Sequence, residues 1–153
     1  MNCLVTGGSG FLGSHVADIL TKKGFNVFIL DKKKSKYLKK KQKFIKVDLL
    51  DDLKLKKVLK NMDYVFHFGG LADLNEALTK PIETIKINIL GTAHLLKYSC
   101  KNKVKRFIHA STIYVNSNQG GFYRTSKKAA EDYVEEFSKR FGLNYTILRY
   151  GSL

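Results

Sequence analysis

The strongest constraint on the fold of this chain is a glycine-rich turn between a short apolar segment and an amphipathic one. Asn2–Thr6 is apolar enough for a buried strand, and four glycines follow it within seven residues. Along Phe11–Lys23 apolar side chains recur at helical spacing, and Gly24 is placed to end that helix. A second apolar strand covers 26–30 and is followed by Asp31. Strand, helix and strand in about thirty residues predict the βαβ unit of a parallel sheet.

Strand-like and helix-like segments continue to alternate after a lysine-rich stretch at 32–43 that has no core-forming pattern. Further strands are predicted at 44–47, 64–68, 104–110 and 144–148, and further helices at 49–59, 81–101 and 126–141. The alternation favours a doubly wound α/β sheet over an all-α or all-β fold. The sequence shows no internal repeat and no Pro/Ser-rich linker, so residues 1–153 are expected to form one domain.

Composition excludes several other classes of protein. Apolar residues make up 44% of the sequence and charged residues 27%, which argues against a disordered or collagen-like chain. Cys3 and Cys100 are far apart and lack metal-ligand spacing, so neither a zinc site nor a disulfide framework is expected. No apolar run approaches the roughly 20 residues that span a bilayer. We therefore expect a cytoplasmic protein with no metal and no membrane partner.

The chain carries a strong positive charge, because 28 Lys and Arg residues against 13 Asp and Glu residues give +15. Residues 32–60 alone hold 13 lysines and three aspartates, which accounts for +10 of it. Such a balance raises the alternative of a nucleic-acid partner. Only four of the 28 are arginines, however, and phosphate and base readers favour the arginine fork. We interpret the lysines as a solvated surface and expect no nucleic-acid partner.

The glycine turn itself indicates a phosphate-binding loop. Gly7, Gly10 and Gly13 form a GxxGxxG pattern at the start of the first predicted helix. Backbone N–H groups and the positive end of a helix can hold a diphosphate there, and glycine leaves the approach open. Asp31 lies about twenty residues further on, where a carboxylate accepts the hydroxyls of an adenosine ribose. It would repel a 2′-phosphate, which favours NAD over NADP, although Lys32 and the two lysines after it could receive that phosphate.

Tyr123 and Lys127 form a second pattern, four residues apart near the start of a predicted helix and hence on one face. A nearby ammonium favours the phenolate, so the pKa of Tyr123 is expected to fall from about 10 toward the working pH, as a general base requires. Ser111 and Thr112 end a buried strand on the side where such sheets bind ligands. A YxxxK pair alone is usually a surface pair. The functional interpretation of Tyr123 and Lys127 therefore depends on the dinucleotide loop before them and on these two hydroxyls.

Together these segments carry a resemblance to a known family. Along nearly its whole length the chain resembles the extended short-chain dehydrogenase/reductases, specifically the NAD-dependent epimerase/dehydratase group that acts on nucleotide sugars. The implied fold is a Rossmann fold. The matching segments are Thr6–Gly13, Asp31, Asp48 with Leu49, His67–Leu71, Asn88–Thr92, Ser111 with Thr112, Tyr123 with Lys127, and Leu148–Tyr150.

The resemblance implies an NAD-binding role for many of these residues. The glycine loop and first helical turn would hold the pyrophosphate, Asp31 the ribose, and Asp48 with Leu49 the adenine. Asn88 would help to order the central strands. The implied NAD-binding residues are Gly7, Gly10, Phe11, Leu12, Gly13, Asp31, Asp48, Leu49, Phe68, Gly69, Gly70, Leu71, Asn88, Tyr123 and Lys127.

The resemblance also implies a catalytic set of Thr112, Tyr123 and Lys127. Tyr123 would take the proton of a sugar hydroxyl while hydride passes to the nicotinamide. Lys127 would bind the nicotinamide ribose and tune the phenol, and Thr112 would hydrogen-bond the reacting oxygen. The implied activity is that of a nucleotide-sugar epimerase of the UDP-glucose 4-epimerase type. Ile113 and Tyr114 stand where dehydrating relatives have an Asp-Glu pair, so dehydration is disfavoured.

Departures from the family pattern leave alternatives open. The loop from Ile113 to Phe122 has only ten residues, and the C-terminal substrate-binding portion of the family is expected to be absent after Leu153. The chain is therefore expected either to act on a nucleotide sugar, as an epimerase or as a dehydratase or reductase, or to bind NAD without turnover. The resemblance is compatible with a homodimer that pairs through the helices at 81–101 and 126–141.

Three other side chains receive structural interpretations. His67 closes a buried strand without a metal-ligand partner at a suitable spacing, so a core role is expected. Tyr133 is assigned to the core of its helix. Glu131 and the acidic residues after it are predicted to form a solvated face of the same helix.

Overall fold

A computed structural model describes residues 1–151 and shows one sheet of six parallel strands. The strands are β1 (Asn2–Thr6), β2 (Asn26–Asp31), β3 (Gln42–Lys46), β4 (Tyr64–His67), β5 (Arg106–Thr112) and β6 (Tyr145–Tyr150). Their order in the sheet is β3-β2-β1-β4-β5-β6, and every pairing is parallel. The predicted doubly wound α/β class is confirmed, and the arrangement is a Rossmann fold.

Helices connect most of the strands. They are α1 (Phe11–Lys22), α2 (Asp52–Val58), α3 (Leu74–Thr79), α4 (Pro81–Thr84), α5 (Gly91–Lys101) and α6 (Gly121–Phe141). A π-helical segment, Ile85–Leu90, joins α4 to α5, so the helix predicted at 81–101 contains a wider turn. Short 3₁₀ turns follow α2 and β5.

The sheet order places a crevice at the carboxyl ends of the central strands. β1 pairs with β2 on one side and with β4 on the other. The connection from β1 to β2 therefore runs toward one edge of the sheet, and the connection from β3 to β4 runs toward the other edge. In open parallel sheets this reversal of strand order leaves a gap between adjacent connections, and ligands bind there. The glycine turn after β1 lies at this position.

Alternating side chains of the strands fill two cores, one on each face of the sheet. Cys3 and Val5 belong to the core beneath α1, together with Val27 and Ile29 of the neighbouring strand. Leu4 points to the opposite face, as the period of two requires. The core on that face is larger, and it includes Leu55 of α2, Leu95 and Leu96 of α5, Phe107 of β5 and Val134 of α6.

Two helices differ most from the predictions, α3 and α6. The short helix α3 was not predicted, since six residues hold too few apolar positions to show a period; Asp73 caps it by accepting a hydrogen bond from the N–H of Glu76 at 2.7 Å. Helix α6 begins at Gly121, five residues before the predicted start at Ser126. Its first turns carry site residues instead of an apolar stripe, so periodicity could not reveal them.

The predicted facing of α6 is wrong at two positions. Glu131, predicted on a solvated face, has no exposed surface, whereas Tyr133, predicted in the core, is 48% exposed. The buried stripe runs through Lys127, Ala130, Glu131 and Val134. A charged residue can occupy that stripe because Arg149 of β6 pairs with the Glu131 carboxylate.

The lysines between 32 and 60 are all exposed in this structure. β3 is an edge strand, and two of its five residues are lysines that protect the unpaired edge from association with other strands. Within residues 1–151, no helix has the length and apolar character needed to cross a membrane. The same part of the chain contains no group of three or more His, Cys, Asp or Glu side chains arranged to hold a metal ion.

Candidate functional site

A cleft of about 1000 Å³ opens at the carboxyl ends of β1, β2, β4 and β5. Its volume is that of a large ligand site. Most of the sequence-predicted site residues line it: Gly7, Gly10, Phe11, Leu12, Gly13, Asp31, Leu49, Phe68, Gly69, Gly70, Leu71, Thr112, Tyr123 and Lys127. Asp48 and Asn88 do not line it directly, but each holds a residue that does: Asp48 pairs with Lys32, and Asn88 bonds Leu71.

The glycine turn forms the floor of the cleft and is packed too closely for side chains. Gly7 has a φ of +65°, and a Cβ there would lie 2.6 Å from the backbone nitrogen of Gly69. A Cβ at Gly13 would lie 2.3 Å from the carbonyl oxygen of Gly7. These glycines therefore let α1 and the loop after β4 approach the turn, which brings the start of the helix to the cleft.

The N-terminus of α1 supplies donors for an anion. Its N-cap is Gly10, which offers no capping side chain, and its first turn contains no acidic residue. The N–H groups of Phe11, Leu12 and Gly13 come before the first intrahelical hydrogen bond, which Ser14 donates to Gly10. The donors and the positive end of the helix dipole suit a diphosphate, so the residues present fit the pyrophosphate of a dinucleotide.

Two aspartates stand at the end of the cleft near β2. Asp31 accepts hydrogen bonds from the N–H groups of Ser9 and Lys33, each at 3.2 Å, which fix its carboxylate beside the glycine turn. Asp48 pairs with Lys32 at 2.9 Å and accepts a bond from the N–H of Leu50 at 2.9 Å. Burial raises the pKa of Asp48, but the bond from Leu50 and the ammonium of Lys32 outweigh it, so the pKa lies below the usual value.

Asn88 connects two segments that border the cleft. It is buried in the π-helical segment, accepts a hydrogen bond from the N–H of Leu71 at 2.8 Å and donates to the carbonyl of Leu71 at 2.9 Å. It also donates to the hydroxyl of Ser126 at 2.9 Å, and Ser126 bonds the carbonyl of Tyr123. Asn88 therefore ties the loop after β4 to the start of α6, whereas the resemblance implied a role in ordering the central strands.

Thr112, Tyr123 and Lys127 meet at the opposite end of the cleft. Thr112 is the last residue of β5, and the other two lie one turn apart near the start of α6. Three strand spacings, about 14 Å, separate β2 from β5. The cleft thus runs from Asp31 across the glycine turn to the Tyr and Lys side chains.

The electrostatics of this end differ from the expectation for Tyr123. Burial raises the pKa of the phenol, and a hydrogen bond with Thr112 only partly offsets it. Burial also lowers the pKa of Lys127 to about 8, while the carboxylate of Glu131 acts in the opposite direction. Among the protein's own groups, the lysine therefore titrates closer to neutral pH than the tyrosine.

His67 lies beneath the cleft as a hydrogen-bonded core residue. Its Nδ1 bonds the hydroxyl of Thr6 at 2.7 Å and its Nε2 that of Thr92 at 2.9 Å. Burial lowers the pKa of His67 to about 3, with a further contribution from the charge of Lys127. A neutral, fixed imidazole of this kind supports the site from behind, in agreement with the predicted core role.

Sequence reasoning missed Glu131 as a member of this region. Its carboxylate lies one helical turn from Lys127 and accepts hydrogen bonds from Arg149, Nε to Oε1 at 3.0 Å and Nη2 to Oε2 at 2.7 Å. The four-residue spacing from Lys127 was the one available signal. Tyr150 also lines the cleft; it belongs to the matching segment Leu148–Tyr150, but no site role was predicted for it.

Comparisons with known proteins agree with this geometry. The sequence model of the NAD dependent epimerase/dehydratase family matches residues 3–153, and the chain belongs to that family. The predicted family and its NAD-dependent character are thereby confirmed.

Among curated relatives, the chain is 29% identical to a putative UDP-glucose 4-epimerase of Methanocaldococcus jannaschii, over 98% of this chain and 55% of the relative. It is 33% identical to the UDP-glucose 4-epimerase of Yersinia enterocolitica, over 98% of this chain and 53% of the relative. The chain thus spans about half the length of these relatives.

Solved structures give the same picture. The UDP-glucose 4-epimerase of Thermotoga maritima with UDP-glucose superposes with a TM-score of 0.90 at 34% identity, over 98% of this chain and 55% of that one. The UDP-glucose 4-epimerase of Thermus thermophilus in complex with NAD has a TM-score of 0.90 at 29% identity, with the same coverage.

Proposed function

We propose that this chain is the NAD-binding domain of a nucleotide-sugar epimerase of the UDP-glucose 4-epimerase type, folded as a single unit over residues 1–153. The observation that carries the proposal is the cleft itself. One continuous cavity connects the uncapped start of α1, the carboxylate of Asp31 and the Tyr123/Lys127 pair. Each group alone is common, whereas their order along a crevice of this fold suits an extended dinucleotide.

In the proposed complex, the chain's own residues hold each part of NAD. The N–H groups at the start of α1 would bind the diphosphate, because they are uncapped donors at the positive end of a helix. Asp31 would accept the hydroxyls of the adenosine ribose, and Asp48 with Leu49 would border the adenine. The loop from Phe68 to Leu71, which Asn88 fixes, would line the nicotinamide half.

The Tyr/Lys end of the cleft would perform the proton transfer. Tyr123 would accept the proton of a sugar hydroxyl, and Thr112 would hydrogen-bond the same oxygen. Lys127 would bind the nicotinamide ribose. Its ammonium would favour the phenolate by charge attraction, against the burial that holds the pKa of Tyr123 above its ordinary value. NAD, when bound, supplies the hydride acceptor for the carbinol carbon. Loss of the proton makes that carbon a better hydride donor, so the two transfers are coupled.

Reduction of the bound coenzyme by a nucleotide sugar tests the proposal. The full chain is loaded with NAD⁺, UDP-glucose is added, and nicotinamide reduction is followed by absorbance. We expect reduction in the wild type and its loss in Tyr123→Phe, which keeps the ring but cannot take the proton. Tyr133→Phe removes a hydroxyl from the same helix outside the cleft and should behave as wild type.

A chain that binds NAD⁺ but never reduces it with UDP-glucose, UDP-N-acetylglucosamine or UDP-glucuronic acid would be an NAD-binding module without turnover. The share of the relatives that the chain spans, about half, is the observation that favours this second candidate. Equal reduction in wild type and Tyr123→Phe would instead contradict the assignment of the base.

A further inference from the structure

A buried ion pair stands directly behind the Tyr/Lys end of the cleft. Glu131 has no exposed surface, and both oxygens of its carboxylate accept hydrogen bonds from the guanidinium of Arg149. The Arg149 side chain is 40% exposed, so the pair extends from the core to solvent. This bidentate geometry fixes the carboxylate in place.

The carboxylate lies one turn along α6 from Lys127, on the same helix face. Tyr123, Lys127 and Glu131 therefore form a row at intervals of four residues. Lys127 itself is 8% exposed and lines the cleft, and none of the described residues forms a hydrogen bond with its ammonium. A buried ammonium without a partner is costly unless a charge of opposite sign lies near it.

Other titratable groups around Lys127 do not supply that charge. His67 of β4 and His109 of β5 face it from the sheet, and burial holds both imidazoles neutral at physiological pH by lowering their pKa values. Glu76 and Glu83 border the cleft from the neighbouring helices α3 and α4, and Glu76 is paired with Lys80. Neither carboxylate raises the pKa of Lys127, whereas Glu131 does.

We infer that Glu131 is a positioning residue that acts through Lys127, and that Arg149 sets how strongly it acts. The fixed carboxylate keeps the lysine charged inside the protein. Because Arg149 occupies both carboxylate oxygens, Glu131 does not capture the ammonium, which stays free to bind a ligand in the cleft. The consequence for NAD binding rests on the proposed function, whereas the effect on the charge of Lys127 does not.

The electrostatics agree with this geometry. Burial lowers the pKa of Lys127 to about 8, and Glu131 is the group that opposes this shift. Burial also raises the pKa of Glu131, but the bonds from Arg149, with a smaller contribution from the hydroxyl of Ser111, bring it below its usual value, so the carboxylate is charged at neutral pH. Without that charge the lysine would become neutral within the physiological range.

Direct titration of Lys127 tests the inference on the full chain without coenzyme. The Cε carbons of ¹³C-labelled lysines are followed by NMR against pH, and the Lys127 signal is assigned by its absence from Lys127→Met. We expect Glu131→Gln to lower the titration midpoint by about one pH unit. Glu136→Gln removes an equal charge from an exposed position of the same helix and should leave the midpoint unchanged.

Arg149→Met gives a result of opposite sign. It frees the Glu131 carboxylate to pair with Lys127, so the midpoint should rise. A purely structural role of the ion pair would shift the midpoint in the same direction in both variants, and such a result would overturn the inference, as would no change in Glu131→Gln. If Glu131→Gln does not fold, Arg149→Met decides alone, since a rise supports the inference and a fall or no change contradicts it.

Affinity for NAD⁺ against pH gives the second readout. If the charged lysine binds the coenzyme, Glu131→Gln should bind NAD⁺ about tenfold more weakly than wild type at a pH above both midpoints. Wild-type protein that fails to bind NAD⁺ at any pH would defeat the proposed function but leave the Lys127 titration as the test of the inference. Wild-type binding with identical pH profiles in both proteins would defeat the inference alone.

Discussion

Gly13 lies so close to Gly7 that a side chain at position 13 would place its Cβ 2.3 Å from the Gly7 carbonyl oxygen. This contact holds the start of α1 against the turn. We predict that Gly13→Ala destabilises the protein by about 1–3 kcal/mol through overpacking and also weakens NAD⁺ binding, because the helix start must move away. Thermal unfolding and calorimetric titration measure the two effects.

Gly24→Ala is the matched control for that variant. Gly24 has a φ of +84°, and a Cβ added there would meet open space, so alanine strains the backbone without moving α1. It should lower the free energy of unfolding by a similar amount while leaving NAD⁺ affinity intact. Equal losses of affinity in the two variants would show that the loop contact has no special role in binding.

The charge of Asp31 is predicted to select the coenzyme. Asp31→Asn keeps the size of the side chain but removes the anion, so NAD⁺ should bind about tenfold more weakly. The preference over NADP⁺ should shrink at the same time, because the repulsion of a 2′-phosphate is gone. Asp18→Asn removes the same charge from α1 outside the cleft and should change neither affinity. A wild type that binds NADP⁺ as well as NAD⁺ would contradict the role of Asp31.

Asn88 is predicted to be a strong contributor to stability. Asn88→Ala removes three buried hydrogen bonds and leaves the N–H and carbonyl of Leu71 without partners, so we expect a loss of about 3 kcal/mol in the free energy of unfolding. Asn102→Ala removes a single half-buried bond to the carbonyl of Tyr98 and should cost about 1 kcal/mol. Urea unfolding of both variants provides the comparison, and similar losses would refute the connecting role of Asn88.

Acid should destabilise the fold through its buried histidines. His67 has a folded pKa of about 3 against an ordinary value of 6.5, and burial also lowers the pKa of His109. The unfolded chain therefore binds protons that the folded chain does not, so this contribution to stability is complete above about pH 6.5 and falls as the pH drops toward 3. The slope is about 1.4 kcal/mol per pH unit for each histidine.

Urea unfolding between pH 7 and pH 5 measures that slope. His67→Gln, which keeps a hydrogen-bonding side chain that does not titrate, should show a shallower dependence than the wild type. A free energy of unfolding that stays constant over this range in the wild type would contradict the account of the two histidines.

The sequence was sufficient to predict the sheet and most of the cleft, because both depend on local patterns. The strand, glycine turn, helix and strand of residues 2–31 follow from apolar spacing and glycine positions, and the structure has each of them in place. Parallel strands then bring Asp31, the glycine turn and Thr112 to one edge of the sheet without further information.

What could not be predicted depends on contacts between distant residues. Glu131 looks like a surface acid until Arg149 of β6 is brought beside it, and no local pattern contains that pairing. Asn88 likewise finds Leu71 and Ser126 only in the folded chain. The raised pKa of Tyr123 also depends on the folded chain, because burial of its phenol outweighs the hydrogen bond with Thr112.

Calorimetric titration of NAD⁺ into the folded full chain measures whether the cleft binds the coenzyme. We expect saturable binding of one NAD⁺ per chain, weakened in Gly13→Ala and preserved in Gly24→Ala. Absence of saturable heat with both the oxidised and the reduced coenzyme, in protein whose circular dichroism shows the expected helices and strands, would contradict it.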